Sequence, residues 1–219
     1  MAVIHQTTLT PTKLELLTPW LPTRPWYRGG SGGPELERTG GFRLDDPEGE
    51  VGIEFMVVTD GSTPEPTAYL VPLTYRDAPL AGAEDALIGT TEHGVLGKRW
   101  VYDGCHDPVL TQELLALIGG TAQAMAQRVS DTPDHEVTRS YTGEPLPTTA
   151  HTPAPADDAD GTGVPAPHGT VLRVHRVLRP APGAEMPGRP DGAVGHVATG
   201  WPGPDGTRLR AVFMELRTA

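Results

Sequence analysis

The stretch Trp20-Leu21-Pro22-Thr23-Arg24-Pro25-Trp26-Tyr27-Arg28-Gly29 is the most informative part of this 219-residue chain. It combines a Trp-Leu-Pro with a closely following Trp-Tyr, which is an unusual arrangement. Before it, Thr10-Pro11 offers a hydroxyl N-cap followed by proline, and Leu14, Leu17 and Leu21 recur at helical spacing. Because prolines at positions 19 and 22 interrupt this pattern, we predict a short amphipathic helix that ends near Thr18.

After this stretch the apolar pattern changes to a period of two. Residues 51–57 alternate as a half-buried strand does, and residues 69–75 read as its antiparallel partner. Pro72 lacks a backbone N–H, so the second strand is expected at a sheet edge or with a bulge. Residues 95–102 suggest another strand, and Asp107-Pro108 begins a leucine-rich helix that ends at Gly119-Gly120. We therefore predict an α+β fold with an antiparallel sheet and helices packed on one of its faces.

Composition limits the classes of partner. With 24 Pro, 27 Gly and only 37% hydrophobic residues, strands and turns should dominate. A formal charge of −11 argues against nucleic acid and anionic membranes as partners. Cys105 is the only cysteine, so an internal disulfide is impossible and a reducing compartment is expected. Because the sequence shows neither a signal peptide nor a membrane-spanning run, we expect a cytoplasmic protein.

The second half of the sequence is less regular. Residues 142–169 are rich in Pro, Thr, Ala, Asp and Gly, and this composition predicts a disordered linker. Residues 171–178 alternate as a strand does, and residues 194–201 and 208–216 read as a hairpin closed by Pro202-Gly203-Pro204-Asp205-Gly206. We expect these C-terminal strands to pack on the first domain.

Several stretches together resemble the N-terminal cap domain of actinobacterial maltokinases. Trp20–Gly29 is similar to the WLPxxRWYxG opening of that domain, and the later stretches follow in the same order: Tyr69–Tyr75, Leu87-Ile88-Gly89, Trp100–Asp103 and Asp107-Pro108-Val109. The resemblance covers about residues 9–120. It implies a curved antiparallel sheet with flanking helices and cystatin-like topology. We accordingly assign residues 1–130 to a cap-like domain, 131–168 to a partly disordered linker and 169–219 to a C-terminal β extension.

The resemblance also implies a role without catalysis. Pro25 stands where the family has an arginine, with Arg24 displaced by one position. The chain contains neither a phosphate-binding loop nor a kinase catalytic loop, and His93 and His168 lack the aspartate that such a loop needs. We therefore expect a cap without its kinase lobe, with no cofactor, acting as an accessory module in maltose, trehalose or α-glucan metabolism. The implied partner is a sugar kinase or α-glucan enzyme acting in trans.

The aromatic residues leave a second function open. A relative of maltokinases could bind a malto-oligosaccharide or glycogen by stacking sugar rings on aromatic side chains, although aromatic residues more often fill a small core. The candidate ligand-binding residues are Trp20, Arg24, Trp26, Tyr27, Arg28, Trp100 and Tyr102. A third alternative, an enzyme of α-glucan branching or transfer, would need a carboxylate pair that the sequence does not bring together.

No catalytic or metal-binding residue can be assigned from the sequence. Asp103, Cys105, His106 and Asp107 are the densest group of reactive side chains, but adjacent residues rarely reach mutual hydrogen-bond geometry. We interpret Asp107 as a helix N-cap and the others as the preceding loop. The spacing of His168, His175 and His196 matches no familiar metal site, and the acidic run Asp157–Asp160 lacks the rest of a calcium loop.

Overall fold

Two antiparallel sheets and two short helices make up a mostly β structure. The computed structural model describes residues 9–127, 129, 131–147, 154–181, 183 and 185–218. The first sheet contains β1 (Leu9–Thr10), β2 (Leu36–Asp45), β3 (Gly52–Asp60), β4 (Thr67–Arg76), β5 (Leu87–His93), β6 (Gly97–Asp103) and β7 (Met125–Ala126), in the order β1-β5-β6-β4-β3-β2-β7. The second contains β8 (Thr138–Tyr141), β9 (Ala156–Asp157), β10 (Gly161–Ala166), β11 (Thr170–His175), β12 (Ala193–Pro202) and β13 (Arg208–Thr218), in the order β8-β12-β13-β11-β10-β9. The helices are α1 (Lys13–Trp20) and α2 (Pro108–Gly119).

Helix α1 begins and ends two residues later than the sequence pattern predicts. Its N-cap is Thr12 rather than Thr10, because Thr12 and Glu15 form a capping box in which each side chain binds the other's backbone N–H. The helix continues through Pro19 to Trp20. Burial of Leu17 and Trp20 against the first sheet offsets the hydrogen bond that the proline cannot donate.

Helix α2 agrees with the prediction at both ends. The Asp107 side chain accepts a hydrogen bond from the backbone N–H of Val109 at 2.9 Å, and proline occupies the first helical position. Gly120 closes the helix in the left-handed conformation with φ of 89°.

The helices lie on opposite faces of the first sheet, so the expectation that they share one face is wrong. Alternate residues of β3 show this directly. Met56 and Val58 belong to the buried cluster that contains the α1 residues Leu17 and Trp20, and this face is called the α1 face. The intervening residues on β3 point to the α2 face and pack against the leucines of α2: Ile53, Phe55 and Val57.

The second sheet packs on the α2 face and shares its core. Phe42 stacks on Phe55 with 4.6 Å between ring centroids and approaches Phe213 of β13 at 6.4 Å. Trp201 of β12 lies 5.9 Å from Phe213, and its Cβ would be 2.9 Å from a Cβ placed on Gly40. Gly40 therefore allows β2 to approach β12 closely.

The hairpin of β12 and β13 agrees with the sequence pattern, whereas the expected linker contains strands. Residues 131–168 include β8, β9 and β10, all of which belong to the second sheet. Residues 148–153 lie outside the described part of the chain. Strand β10 pairs with β11 along six residue positions, so backbone hydrogen bonds hold a segment whose composition offers little apolar surface. The cystatin-like topology stays a prediction.

A short backbone connection joins the two sheets after β11. The N–H of Leu70 donates to the carbonyl of Arg176 at 2.9 Å, and the N–H of Leu178 donates to the carbonyl of Ala68 at 2.9 Å. These bonds extend one edge of β4, whose other end pairs with β6 from Leu73 onwards. Pro72 lies between these two pairings, so its missing N–H costs no backbone hydrogen bond to residues 176–178 or to β6.

A buried ion pair reinforces this connection. The guanidinium of Arg176 is completely buried, and its Nη2 donates to both carboxylate oxygens of Asp103 at 2.7 Å. Its Nε donates to the hydroxyl of Thr162 on β10 at 2.7 Å, and its centre lies 5.2 Å from the ring of Trp26. One arginine of the second half thus contacts the end of β6, a strand of the second sheet and the Trp26 ring.

The ion pair gives a stability prediction. Arg176→Met should destabilise the protein by about 3–5 kcal/mol, because the Asp103 carboxylate is left buried without its partner. The double variant Arg176→Met with Asp103→Asn should lose less than the single variant, since no unpaired charge remains. Urea denaturation of the full chain measures both values.

The matched control is Arg179→Met, since the Arg179 side chain is 69% exposed in its ion pair with Asp160. Its loss should cost no more than about 1 kcal/mol. Equal destabilisation by the Arg176 and Arg179 variants would contradict a special role for the buried pair.

Candidate functional site

Three of the predicted aromatic ligand residues lie in one cluster on the α1 face. Trp26 is fully buried and lies 5.8 Å from both Trp20 and Tyr69, measured between ring centroids. Tyr27 stacks on Tyr69 and donates a hydrogen bond to the carboxylate of Asp60 at 2.9 Å. Burial and the Asp60 charge raise the pKa of Tyr27 to about 12. These rings anchor the segment after α1 to the sheet.

The other two aromatic candidates lie on the opposite face. Val101 belongs to the α1-face cluster, so its neighbours Trp100 and Tyr102 point towards the α2 face. Tyr102 is buried, and its hydroxyl accepts a hydrogen bond from the backbone N–H of Leu80 at 2.9 Å. The structure therefore does not bring the five aromatic candidates together on one sugar-stacking surface.

The two arginine candidates pair with neighbouring side chains. The Arg24 guanidinium lies 5.0 Å from the ring of Trp20 and donates hydrogen bonds to the Thr23 hydroxyl. Arg28 forms an ion pair with Asp160, in the turn between β9 and β10. The opening stretch thus contacts the second half of the chain through Arg28 as well as through Trp26.

The segment 103–107 has the structural role that the sequence suggests. Asp107 is the N-cap of α2 and also receives two hydrogen bonds of 2.7 Å from the Arg76 guanidinium. Cys105 is buried, and burial raises the pKa of its thiol, which disfavours the nucleophilic thiolate. Among the described residues, no group of three or more His, Cys, Asp or Glu could hold a metal ion.

A buried carboxylate on the α1 face organises the densest polar group in this part of the molecule. Glu54 of β3 is 4% exposed and forms an ion pair with Lys13 of α1. It accepts hydrogen bonds of 2.7 Å from the hydroxyl of Tyr75 and from the side-chain amide of Gln127. Together with Arg38 and Arg43 of β2, these residues form what we call the Glu54 cluster: Lys13, Arg38, Arg43, Glu54, Tyr75 and Gln127.

Strand register places both arginines on the α1 face. Arg38 is opposite Val58 and Arg43 is opposite Glu54, with Gly41 and its partner Met56 between them. Arg43 donates from Nε to the carbonyl of Ala126 at 3.1 Å. The Nε of Arg38 and the Nη2 of Arg43 are shielded from solvent and have no hydrogen-bond acceptor among the described residues.

The cations around Glu54 set its protonation state. Burial alone would raise the pKa of Glu54, but the charge and hydrogen bond of Lys13 and the hydroxyl of Tyr75 outweigh it and lower that pKa. Burial and the Glu54 charge hold the pKa of the Tyr75 phenol well above its usual value. Glu54 is therefore ionised at neutral pH, and Tyr75 remains a hydrogen-bond donor.

Comparison with known protein families gives a match to part of the chain, from the end of α1 through most of the first sheet. Residues 20–107 match the maltokinase N-terminal cap domain. The match covers about two fifths of the chain, starts at Trp20 and ends at the N-cap of α2. No curated protein matches the chain. The cap segment, residues 20–107, contains β2 to β6, and the second sheet lies outside it. In the described part of the chain, neither helix is long and apolar enough to cross a membrane.

The Glu54 cluster and the burial of Arg176 were not predicted from the sequence. Each had a detectable signal, because a charged residue stands in an otherwise apolar strand pattern. Glu54 lies between Ile53 and Phe55, and Arg176 precedes Val177 and Leu178. A charge at such a position is expected to be paired when it is buried.

The Glu54 cluster predicts a specific dependence of stability on acid. Because the folded-state pKa of Glu54 is lowered, its ionisation stabilises the fold above the unfolded-state value of about 4.3, and this contribution is lost as the pH falls through the folded-state pKa. Glu54→Gln should therefore be less stable than wild type at pH 7, by about 1–3 kcal/mol. The difference should shrink below about pH 4.

Urea denaturation across this pH range measures the effect, with Glu37→Gln as the control. Glu37 is an exposed residue on β2, so its replacement should change stability by less than about 0.5 kcal/mol at either end of the range. A Glu54 effect that does not vary with pH would contradict the proposed ionised state.

Proposed function

We propose that this protein is a non-catalytic accessory module, related to the maltokinase cap, that acts on an enzyme of maltose, trehalose or α-glucan metabolism. The match of residues 20–107 to the maltokinase N-terminal cap domain carries this proposal. In this account the module binds a sugar kinase or an α-glucan enzyme in trans and changes its rate.

The placement of the aromatic residues favours a protein partner over a glucan. Trp26 and Tyr102 are at most 2% exposed, and the aromatic candidates divide between opposite sheet faces. A sugar-stacking surface requires several accessible ring faces. For a sugar ring to stack on Trp26, that side chain would have to leave the core on the α1 face of the first sheet.

The hairpin formed by β5 and β6 offers a contact surface for such an enzyme. Val95 and Leu96, which are adjacent at its tip, are 61% and 47% exposed. Exposed apolar side chains that lie together mark interaction surfaces more often than scattered ones do. Lys98 beside the tip lies opposite Glu92, so the border carries both signs of charge and the complementary surface on the enzyme is an apolar patch with a mixed polar border.

Purified chain should show no ATP-dependent phosphorylation of maltose by itself. Affinity purification of the tagged chain from its native cells should recover a sugar kinase or an α-glucan enzyme, whose rate then changes when purified chain is added. The double variant Val95→Ser, Leu96→Ser should abolish that change without lowering the melting temperature, since both side chains are exposed.

The matched control is Val129→Ser, which removes an apolar side chain that is 54% exposed but lies away from the hairpin sequence. It should leave the rate effect intact. Maltose phosphorylation by the isolated chain would contradict the proposal, as would a purification that recovers no such enzyme. Retarded migration in glycogen-containing native gels would favour the carbohydrate-binding alternative instead.

A further inference from the structure

We propose that the Glu54 cluster forms a binding site for a phosphoryl group, with Arg38 and Arg43 as its principal donors. This inference is independent of the proposed function, because it rests on side chains of the α1 face rather than on the hairpin or on the family match.

The first observation is the pair of unsatisfied guanidinium donors. Arg38 Nε and Arg43 Nη2 are both shielded from solvent, and neither has an acceptor among the described residues. A buried N–H of a charged group without an acceptor is costly, so such groups are rare in folded proteins. Both belong to the same strand and the same sheet face, on either side of Gly41. A phosphoryl oxygen at either nitrogen would supply a missing acceptor, and the side-chain amide of Gln127, whose Nε2 lies 3.0 Å from a Cβ placed on Gly41, is a further donor beside them.

The second observation is the local charge. Three cations meet two carboxylates in this region: Lys13, Arg38 and Arg43 against Glu54 and Asp45. The excess of one positive charge is notable in a chain whose formal net charge is −11. Glu54 orders Lys13, Tyr75 and Gln127 by direct hydrogen bonds and leaves the two arginines as the least satisfied donors.

The third observation is access. The side chains of Lys13 and Arg43 are 25% and 12% exposed, and Arg38 is half-buried. The cluster is therefore shielded enough to strengthen charged hydrogen bonds, while Lys13 and Arg43 keep part of their side chains in contact with solvent. Arginine pairs also match the planar, multidentate geometry that phosphoryl oxygens offer.

Inorganic phosphate is the first probe. At about 10 mM and constant ionic strength, phosphate should raise the melting temperature of the wild-type chain above its value in chloride, because a ligand that binds only the folded state stabilises it. Calorimetric titration should give an affinity that falls by about tenfold or more in Arg38→Gln, which removes one charged donor. Arg99→Gln on β6 is the matched control and should bind phosphate as wild type does.

A spectroscopic measurement tests the same site independently of affinity. In proton–nitrogen spectra, the Nε–H signal of Arg38, assigned by its loss in Arg38→Gln, should move on addition of phosphate. Acetate should shift this signal less than phosphate does. A larger shift with a sugar phosphate than with phosphate would identify a phosphorylated sugar as the ligand. Equal phosphate affinity in wild type and Arg38→Gln, or an unmoved Arg38 signal at saturating phosphate, would overturn the proposal.

Discussion

The Arg176 guanidinium carries a full charge into a position without solvent exposure, where Asp103, Thr162 and the Trp26 ring surround it while its Nη1 has no hydrogen-bond partner among the described residues. These partners come from β6, β10 and the stretch after α1, so the arginine requires all three to be in place at once. The adjacent backbone bonds of Leu70 and Leu178 impose the same requirement on β4. Together with the apolar core that α2 and the two sheets share, this buried charge and the segment that follows it fix the positions of both sheets.

This dependence changes how the cap segment is understood. Its most unusual residues, Trp20 to Gly29, serve the interior: Trp26 lies beneath Arg176, Tyr27 binds Asp60, and Arg28 pairs with Asp160. Residues that look like a ligand platform in the sequence are thus occupied by contacts with the sheet and with the second half of the chain. We place partner binding at the hairpin tip and ligand binding at the Glu54 cluster, neither of which includes residues of this stretch.

Local patterns in the sequence were sufficient for much of the first sheet. The alternation in β3 and β4, the Asp107 cap and the Gly120 end of α2 each depend on nearby residues, and the structure confirms them. The faces occupied by the two helices depend on long-range packing, which periodicity does not encode. Strand β10 was missed because its stability comes from pairing with β11, and the Glu54 cluster was missed because Lys13, Arg38, Tyr75 and Gln127 converge from distant positions.

We infer that the cap segment and the second sheet form one cooperative unit, held by the apolar core that they share and by Arg176. Native-state hydrogen exchange of the full chain in low concentrations of urea tests it most directly, because it gives opening free energies for amides in each sheet. We expect the most protected amides of β4 and of β13 to exchange through the same global unfolding, with equal free energies and equal dependence on urea. A distinctly lower opening free energy for β13, with β4 still protected, would show that the sheets unfold separately and do not form one cooperative unit.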